Sequence, residues 1–185
     1  MVMYGLISFV LLLFSPVLYS MDEFTYSLNA GGASSQVKIL LNGGDNAPAS
    51  TSDWDAALLL GASVHGVYEE DHHLGLAFQF TQADGDNLYS FRPLDYKYQV
   101  VDDIYIKSFF GFARYDQTTP AHGYILGLGL EWMFLSDVSF STEFAYGDKV
   151  ARDRVLASDP PSLQSSSPEI FYDIYIGSFY LSWYF

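Results

Sequence analysis

The sequence predicts an all-β fold, an eight-stranded antiparallel up-and-down transmembrane β-barrel. Three observations carry this. The stretch "IYIGSFYLSWYF" (174–185) sets Phe179, Leu181, Trp183 and Phe185 on one parity and Ser178, Tyr180, Ser182 and Tyr184 on the other, which is a strand with two different faces. The chain is 185 residues long, 50% hydrophobic and 18% aromatic, yet only 16% charged, so a large apolar surface has to be covered by a core or by lipid. After Ser20 no apolar run reaches the roughly 20 residues of a spanning helix, so a membrane is crossed here by strands closed into a barrel.

Charge and cysteine content remove other classes. A net charge of -14 repels nucleic-acid phosphates. The absence of cysteine excludes a disulfide framework and cysteine-based metal or nucleophile sites.

Residues 1–20, "MVMYGLISFVLLLFSPVLYS", carry no charge and an apolar run from Leu6 to Phe14 that Pro16 interrupts. That run has the length of a signal-peptide core rather than of a spanning helix. Cleavage is expected after Ser20, which leaves 21–185 as one barrel domain; the competing reading is a retained membrane anchor.

The first strand is "EFTYSLNAGG", with Phe24, Tyr26 and Leu28 against Thr25, Ser27 and Asn29. A long polar stretch containing "NGGDNAPASTSD" follows. The second strand runs from Trp54 to Tyr68 and ends in the turn "EEDH". The third, "HLGLAFQFTQ", sets Leu74, Leu76, Phe78 and Phe80 against Gly75, Ala77, Gln79 and Thr81, and "ADGDN" supplies turn residues. The fourth runs from Leu88 to about Val101. Its parity switches: Tyr89 and Phe91 share one face, then Leu94, Tyr96, Tyr98 and Val100 take it over, with Pro93 at the switch. A closed barrel has no edge strand to hold a proline, so a β-bulge is expected there.

After the turn Asp102-Asp103, the fifth strand is Ile104 to Tyr115, followed by the loop "DQTTPAHG". The sixth, "YILGLGLEWMF", faces Tyr124, Leu126, Leu128, Leu130, Trp132 and Phe134 away from Gly127, Gly129 and Glu131. "LSD" turns the chain. The seventh, "VSFSTEFAYG", opposes Val138, Phe140, Phe144 and Tyr146 to Ser139, Ser141, Glu143 and Ala145. A long loop from Asp148 to about Glu169 leads into the last strand. The strand count is even and connections alternate long and short, as in barrels with short periplasmic turns, longer extracellular loops, apolar outer faces and polar bores. A lipocalin-like or sandwich fold would have to bury the aromatic parity while Gly127, Gly129, Ser139 and Glu143 faced water.

The segment "GYILGLGLEWMFLSDVSFSTEFAYG" resembles the penultimate hairpin of small eight-stranded outer-membrane proteins of the OmpX/OmpA type, in its Gly-x-Gly-x-Glu strand, short turn and aromatic return strand. The resemblance covers most of the chain after Ser20 and is specific for architecture. It implies an integral outer-membrane protein of a Gram-negative envelope with both termini periplasmic. It also implies that Phe179, Leu181, Trp183 and Phe185 form a C-terminal signal read by the barrel-assembly machinery. A monomer is expected, with no cofactor.

Eight strands enclose a bore that side chains can fill. Lys97, Lys107, Glu131 and Glu143 share the inward parity, with Asp95, Gln79 and His65 nearby. Lys107 and Glu131 stand at similar height on adjacent strands, so a pair between them is expected, extended by Glu143 and Lys97. The network reads first as a structural plug and second as a proton or ion path. Charge is also polarised along the axis. Asp22, Glu23, Glu69, Glu70, Asp71, Asp102, Asp103 and Asp137 crowd the turn end, whereas Lys38, Arg92, Arg114, Lys149, Arg152 and Arg154 lie toward the loop end. The latter residues suit the phosphates of lipopolysaccharide. Asp84, Asp86 and Asp159 are candidates to reach the same lipid through divalent cations, though "ADGDN" and "GGDNA" are first of all turn sequences.

Three functions follow, in this order. The first is a non-enzymatic barrel with a structural, envelope-stabilising or surface-recognition role. The second is a narrow, porin-like conduit for small or apolar solutes. The third is an outer-leaflet enzyme modifying lipid A. An enzyme needs a base beside a nucleophile on the outer side. His65, His72 and His73 fall toward the other end, and the neighbours of His122, "TTPAHGY", lack the His-x-Ser arrangement of the deacylases.

Overall fold

A computed structural model describes residues 23–41, 49–116, 122–154 and 169–185; the signal-peptide reading of 1–20 lies outside them. Nine strands appear in chain order: β1 (Phe24–Leu41), β2 (Ala49–Thr51), β3 (Asp55–Glu69), β4 (His72–Ala83), β5 (Asp86–Val101), β6 (Ile104–Tyr115), β7 (Gly123–Leu135), β8 (Val138–Arg154) and β9 (Glu169–Tyr184). From β3 onward each strand pairs antiparallel with the next, β1 pairs with both β2 and β3, and β9 closes on β1 from Ser27↔Tyr184 to Leu41↔Ile170. The short β2 and the long β3 pair with the same side of β1, at Lys38–Leu40 and Phe24–Ser35 respectively. They are two pieces of one barrel stave, so the closed wall has eight positions.

Closure reaches the last residue. The Phe185 N–H donates to the Tyr26 carbonyl at 3.1 Å and the Tyr26 N–H donates back at 3.3 Å. Their rings stack 6.4 Å apart. Both termini of the wall thus lie at the end that carries the turns Glu70-Asp71, Asp102-Asp103 and Ser136-Asp137, hereafter the turn end. The opposite end is the loop end.

The faces divide by parity. Leu126, Leu128, Leu130 and Trp132 are exposed, Leu128 at 65%, whereas Glu131 is 2% exposed and Ser139 and Ser141 are fully buried. An outer wall of leucine and aromatic rings around a polar interior reverses the arrangement of a water-soluble sheet.

The strands are longer toward the loop end than alternation alone suggests. β1 continues through "SSQVKILL" to Leu41 and β8 continues to Arg154. There the outward positions Ser34, Gln36 and Lys38 are small or polar, so the apolar/polar contrast fades while the ladder persists. The second loop-end connection also breaks the long–short alternation. It is the two-residue turn Asp84-Gly85, with φ of 48° and 83°. Positive φ at both central residues is the type I′ geometry that matches strand twist, and Asp-Gly is a preferred sequence for it.

The bulge at Pro93 is present. Phe91 pairs with Phe112 and Leu94 with Phe110 on one side, and Arg92 pairs with Ala77 and Asp95 with Gly75 on the other. Three steps along β5 match two on each neighbour, and Pro93, which has no N–H to donate, is the residue left out of both ladders.

The bore is layered. The half toward the loop end holds an apolar cluster that includes Leu59, Leu88, Tyr115, Ile125, Val150 and Ile174. The half toward the turn end holds the charges.

Candidate functional site

The charged layer is assembled from six strands. β3 contributes His65, β4 Gln79, β5 Arg92, Asp95 and Lys97, β6 Lys107, β7 Glu131, and β8 Glu143. All are buried. Their contacts run in a line across the bore. His65 Nε2 lies 3.0 Å from Asp95, Arg92 lies 3.6 Å from Asp95 and 3.0 Å from Glu143, and Lys107 lies 2.7 Å from Glu143 and 3.5 Å from Glu131. Lys97 ends the line 3.0 Å from Glu131. Two tyrosines from β9 brace it. Tyr180 accepts from Lys107 at 2.5 Å and donates to Glu143. Tyr184 accepts from Lys97 at 2.9 Å and donates to Glu131.

Glycine makes these contacts possible. Lys107 pairs in the ladder with Gly129, and Gly129 with Glu143. Lys107 and Glu143 therefore sit two strands apart, about 10 Å at ordinary strand spacing. Their side chains meet over Gly129, where an added Cβ would come within 2.7 Å of Glu143 Cγ and 2.5 Å of the Thr142 carbonyl.

The layer is electrically balanced. Arg92, Lys97 and Lys107 face Asp95, Glu131 and Glu143, three against three, so the chain's net charge of -14 lies elsewhere. Balance matters because an unpaired buried charge costs several kcal/mol. It also explains a tolerated like-charge pair: Lys97 and Lys107 are direct cross-strand partners, which alone is destabilising, and Glu131 touches both.

Lys107 and Glu131 are brought together, but Lys107 is nearer to Glu143. Arg92 departs from expectation outright. It is not a rim residue; it is 3% exposed inside the bore, its guanidinium 3.4 Å from the centre of the Phe109 ring and donating to Gln79 and Glu143. The signal was available, since Phe91 faces outward and its neighbour must face inward. Tyr180 and Tyr184 were legible in the same way. Arg114 is half-exposed on the outer wall, paired with Asp116 at 2.8 Å. Lys149 is exposed with φ of 51°, over the Phe171 ring at 5.6 Å. Arg152 and Arg154 lie on β8 opposite Phe171 and Glu169, but their side chains, like Asp159, lie outside the described residues. Phe179, Trp183 and Phe185 are exposed on the outer wall and Leu181 is partly so.

One further grouping carries chemistry. Ser63 Oγ lies 3.5 Å from His65 Nδ1, on the far side of the ring from Asp95. These are the residue types of an acyl-transfer relay. The Ser63 hydroxyl is engaged by Ser27 at 2.7 Å, and 3.5 Å is the outer limit of a hydrogen bond.

The model of the family described as "Uncharacterised conserved protein UCP029691" matches residues 25–165. The chain belongs to that family. The match spans the wall from β1 to β8 and includes every charged residue of the interior line. No curated protein matches the chain in sequence. Among solved structures, Neisserial surface protein A superposes with a TM-score of 0.50 at 11% identity, over 89% of this chain and 100% of that one. OprG from Pseudomonas aeruginosa gives 0.49 at 12% identity, over 90% and 98%, and Ail from Yersinia pestis gives 0.45 at 12%, over 86% and 99%. At 11% identity what Neisserial surface protein A shares with this chain is the fold: this member of the family is a closed eight-stranded antiparallel barrel.

Proposed function

We propose that the protein is a non-enzymatic integral barrel of the outer membrane, with its turn end periplasmic and a structural, envelope-stabilising or surface-recognition role. One observation carries this reading: the bore is occupied along its length, by a neutral hydrogen-bonded charge line in one half and an apolar cluster in the other. A path for polar solutes would need a continuous polar lining, and the apolar layer around Leu59, Tyr115 and Ile125 interrupts it. The relay-like Ser63 shares its hydroxyl with Ser27 instead of presenting it to a substrate cleft. The lipid-facing belt supports membrane insertion.

Two measurements test the reading. Planar-bilayer recording of the purified barrel is expected to show no steady open-channel current; large, sustained currents would promote the conduit. A serine-directed fluorophosphonate probe is expected to leave Ser63 unlabelled; covalent labelling there would make the protein an enzyme.

A further inference from the structure

The outer wall carries a feature that neither the plug nor the belt requires. Near the loop end, four lipid-facing rings stand side by side on consecutive strands, because Phe78 pairs with Phe91, Phe91 with Phe112, and Phe112 with Tyr124. One step nearer the loop end the same face carries Tyr89 on β5 and, directly opposite it, Arg114 on β6. His122 immediately precedes the start of β7. A groove of about 440 Å³ opens here, floored by Phe78, Phe91 and Phe112 and rimmed by Arg114, Asp116 and His122.

An arginine on the outward parity of a barrel wall is costly unless its head reaches polar surroundings. Arg114 stands one residue before the end of β6, opposite Tyr89 at the loop-end edge of the ring belt. Asp116 holds the guanidinium through Nε and Nη2, both 2.8 Å from one carboxylate oxygen. Two of its five N–H donors are thereby used, and the fork is fixed in orientation. The remaining donors suit an oxyanion, and the ring floor beneath suits an acyl chain. At the edge of a bilayer, phosphorylated lipids present this combination of an acyl chain below and an oxyanion above.

We propose that this groove binds one phosphorylated glycolipid of the outer leaflet, with an acyl chain along Phe78, Phe91 and Phe112 and a phosphate on Arg114 beside His122. The choice of a glycolipid rests on the orientation proposed above, which turns the loop end to the outer leaflet. The phosphate and acyl requirements rest on the groove itself.

The test is native mass spectrometry of the barrel released from mixed micelles holding bisphosphorylated lipid A, its dephosphorylated counterpart and phosphatidylglycerol in equal amounts. The unmodified protein is expected to retain one lipid A. Arg114→Gln should lower that retention about tenfold or more, the usual worth of a charge-assisted hydrogen bond to an oxyanion. Arg114→Lys should recover part of it. Phe91→Ala should lower retention, whereas Phe144→Ala, which removes an exposed ring outside the groove, should not. Heat-modified gel mobility checks that each variant is folded. Equal retention of the dephosphorylated lipid, or unchanged retention by folded Arg114→Gln, would overturn the proposal. Arg114-dependent retention of phosphatidylglycerol in preference to lipid A would overturn the choice of glycolipid and the orientation behind it. Loss of all lipids by a protein that still fractionates with the outer membrane would refute the groove and leave membrane location standing.

Discussion

Replacing Lys107 by methionine keeps the volume of the side chain and removes its charge. The interior then holds two cations, Arg92 and Lys97, against three anions, Asp95, Glu131 and Glu143. Removing one partner of a buried pair typically costs about 3–5 kcal/mol. Two features place this variant near the lower end. Glu143 keeps Arg92 at 3.0 Å, and the opposition between Lys97 and Lys107 is relieved. A cost of about 3 kcal/mol is expected. Adding Glu143→Leu restores balance at two against two. The surviving ion pairs, Arg92–Asp95 at 3.6 Å and Lys97–Glu131 at 3.0 Å, are then complete, but the buried Tyr180 hydroxyl loses both Lys107 and Glu143, so the double variant should lie about 1–2 kcal/mol below the unmodified protein. Adding Glu131→Leu instead also gives two against two, but strands Lys97, whose only anionic contact is Glu131 among the described residues.

The three variants therefore rank Lys107→Met/Glu143→Leu above both Lys107→Met and Lys107→Met/Glu131→Leu. Denaturant unfolding in lipid vesicles reads this ranking through Trp54, Trp132 and Trp183, all exposed on the outer wall. A double-mutant cycle isolates the coupling, with folded mobility on gels as a second probe. If Glu143→Leu fails to rescue Lys107→Met, or Glu131→Leu rescues it equally, the charge line does not act as the geometry says.

Two glycines separate crowding from backbone strain. Gly129→Ala should destabilise by about 1–3 kcal/mol, as overpacking does, because its Cβ would fall 2.5 Å from the Thr142 carbonyl. Gly85→Ala meets nothing within 4 Å, so its cost is the left-handed backbone alone, about 1 kcal/mol; vesicle unfolding midpoints measure both. Phe185→Ser should lower outer-membrane yield more than Ser182→Ala, since Phe185 completes the outer ladder with Tyr26. Quantified membrane fractions compare the two, and equal yields would count against a role in assembly.

Most of the wall was legible because period two holds over long stretches of the strands and the outer parity there is bulky. What escaped lay where that contrast fails. The loop-end extension of β1 reads Ser34, Ser35, Gln36, where both faces are small or polar. The apolar layer of the bore is built from Val37, Leu59, Ala113 and Ile125, residue types indistinguishable by composition from the lipid face, so only strict parity counting finds them. Parity also gives direction but not reach. It placed Lys107 and Glu131 at one height, but the ladder sets Gly129 opposite Lys107, and the long ammonium stem crosses that gap to Glu143. Height alone sends Arg92 toward the loop end, whereas its neighbour Phe91, on the outward parity, fixes it as inward.

Pro93 joins these two levels of organisation. In an unbroken strand, residues three apart face opposite sides, so Arg92 and Asp95 could not both enter the bore. The extra residue at the bulge turns the second half of β5 by one position and puts both inside, 3.6 Å apart, while Phe91 and Leu94 both face outward. Removing that residue would carry Asp95 and Lys97 onto the lipid face and bring Leu94, Tyr96 and Tyr98 inside, the wholesale inversion that follows a one-residue slip. Asp95 would leave His65 and Arg92, and Glu131 would lose Lys97. The inserted residue that keeps the outer wall apolar is thus the same one that keeps the interior neutral. A proline fits that position because it is paired in neither ladder and has no N–H to leave unsatisfied.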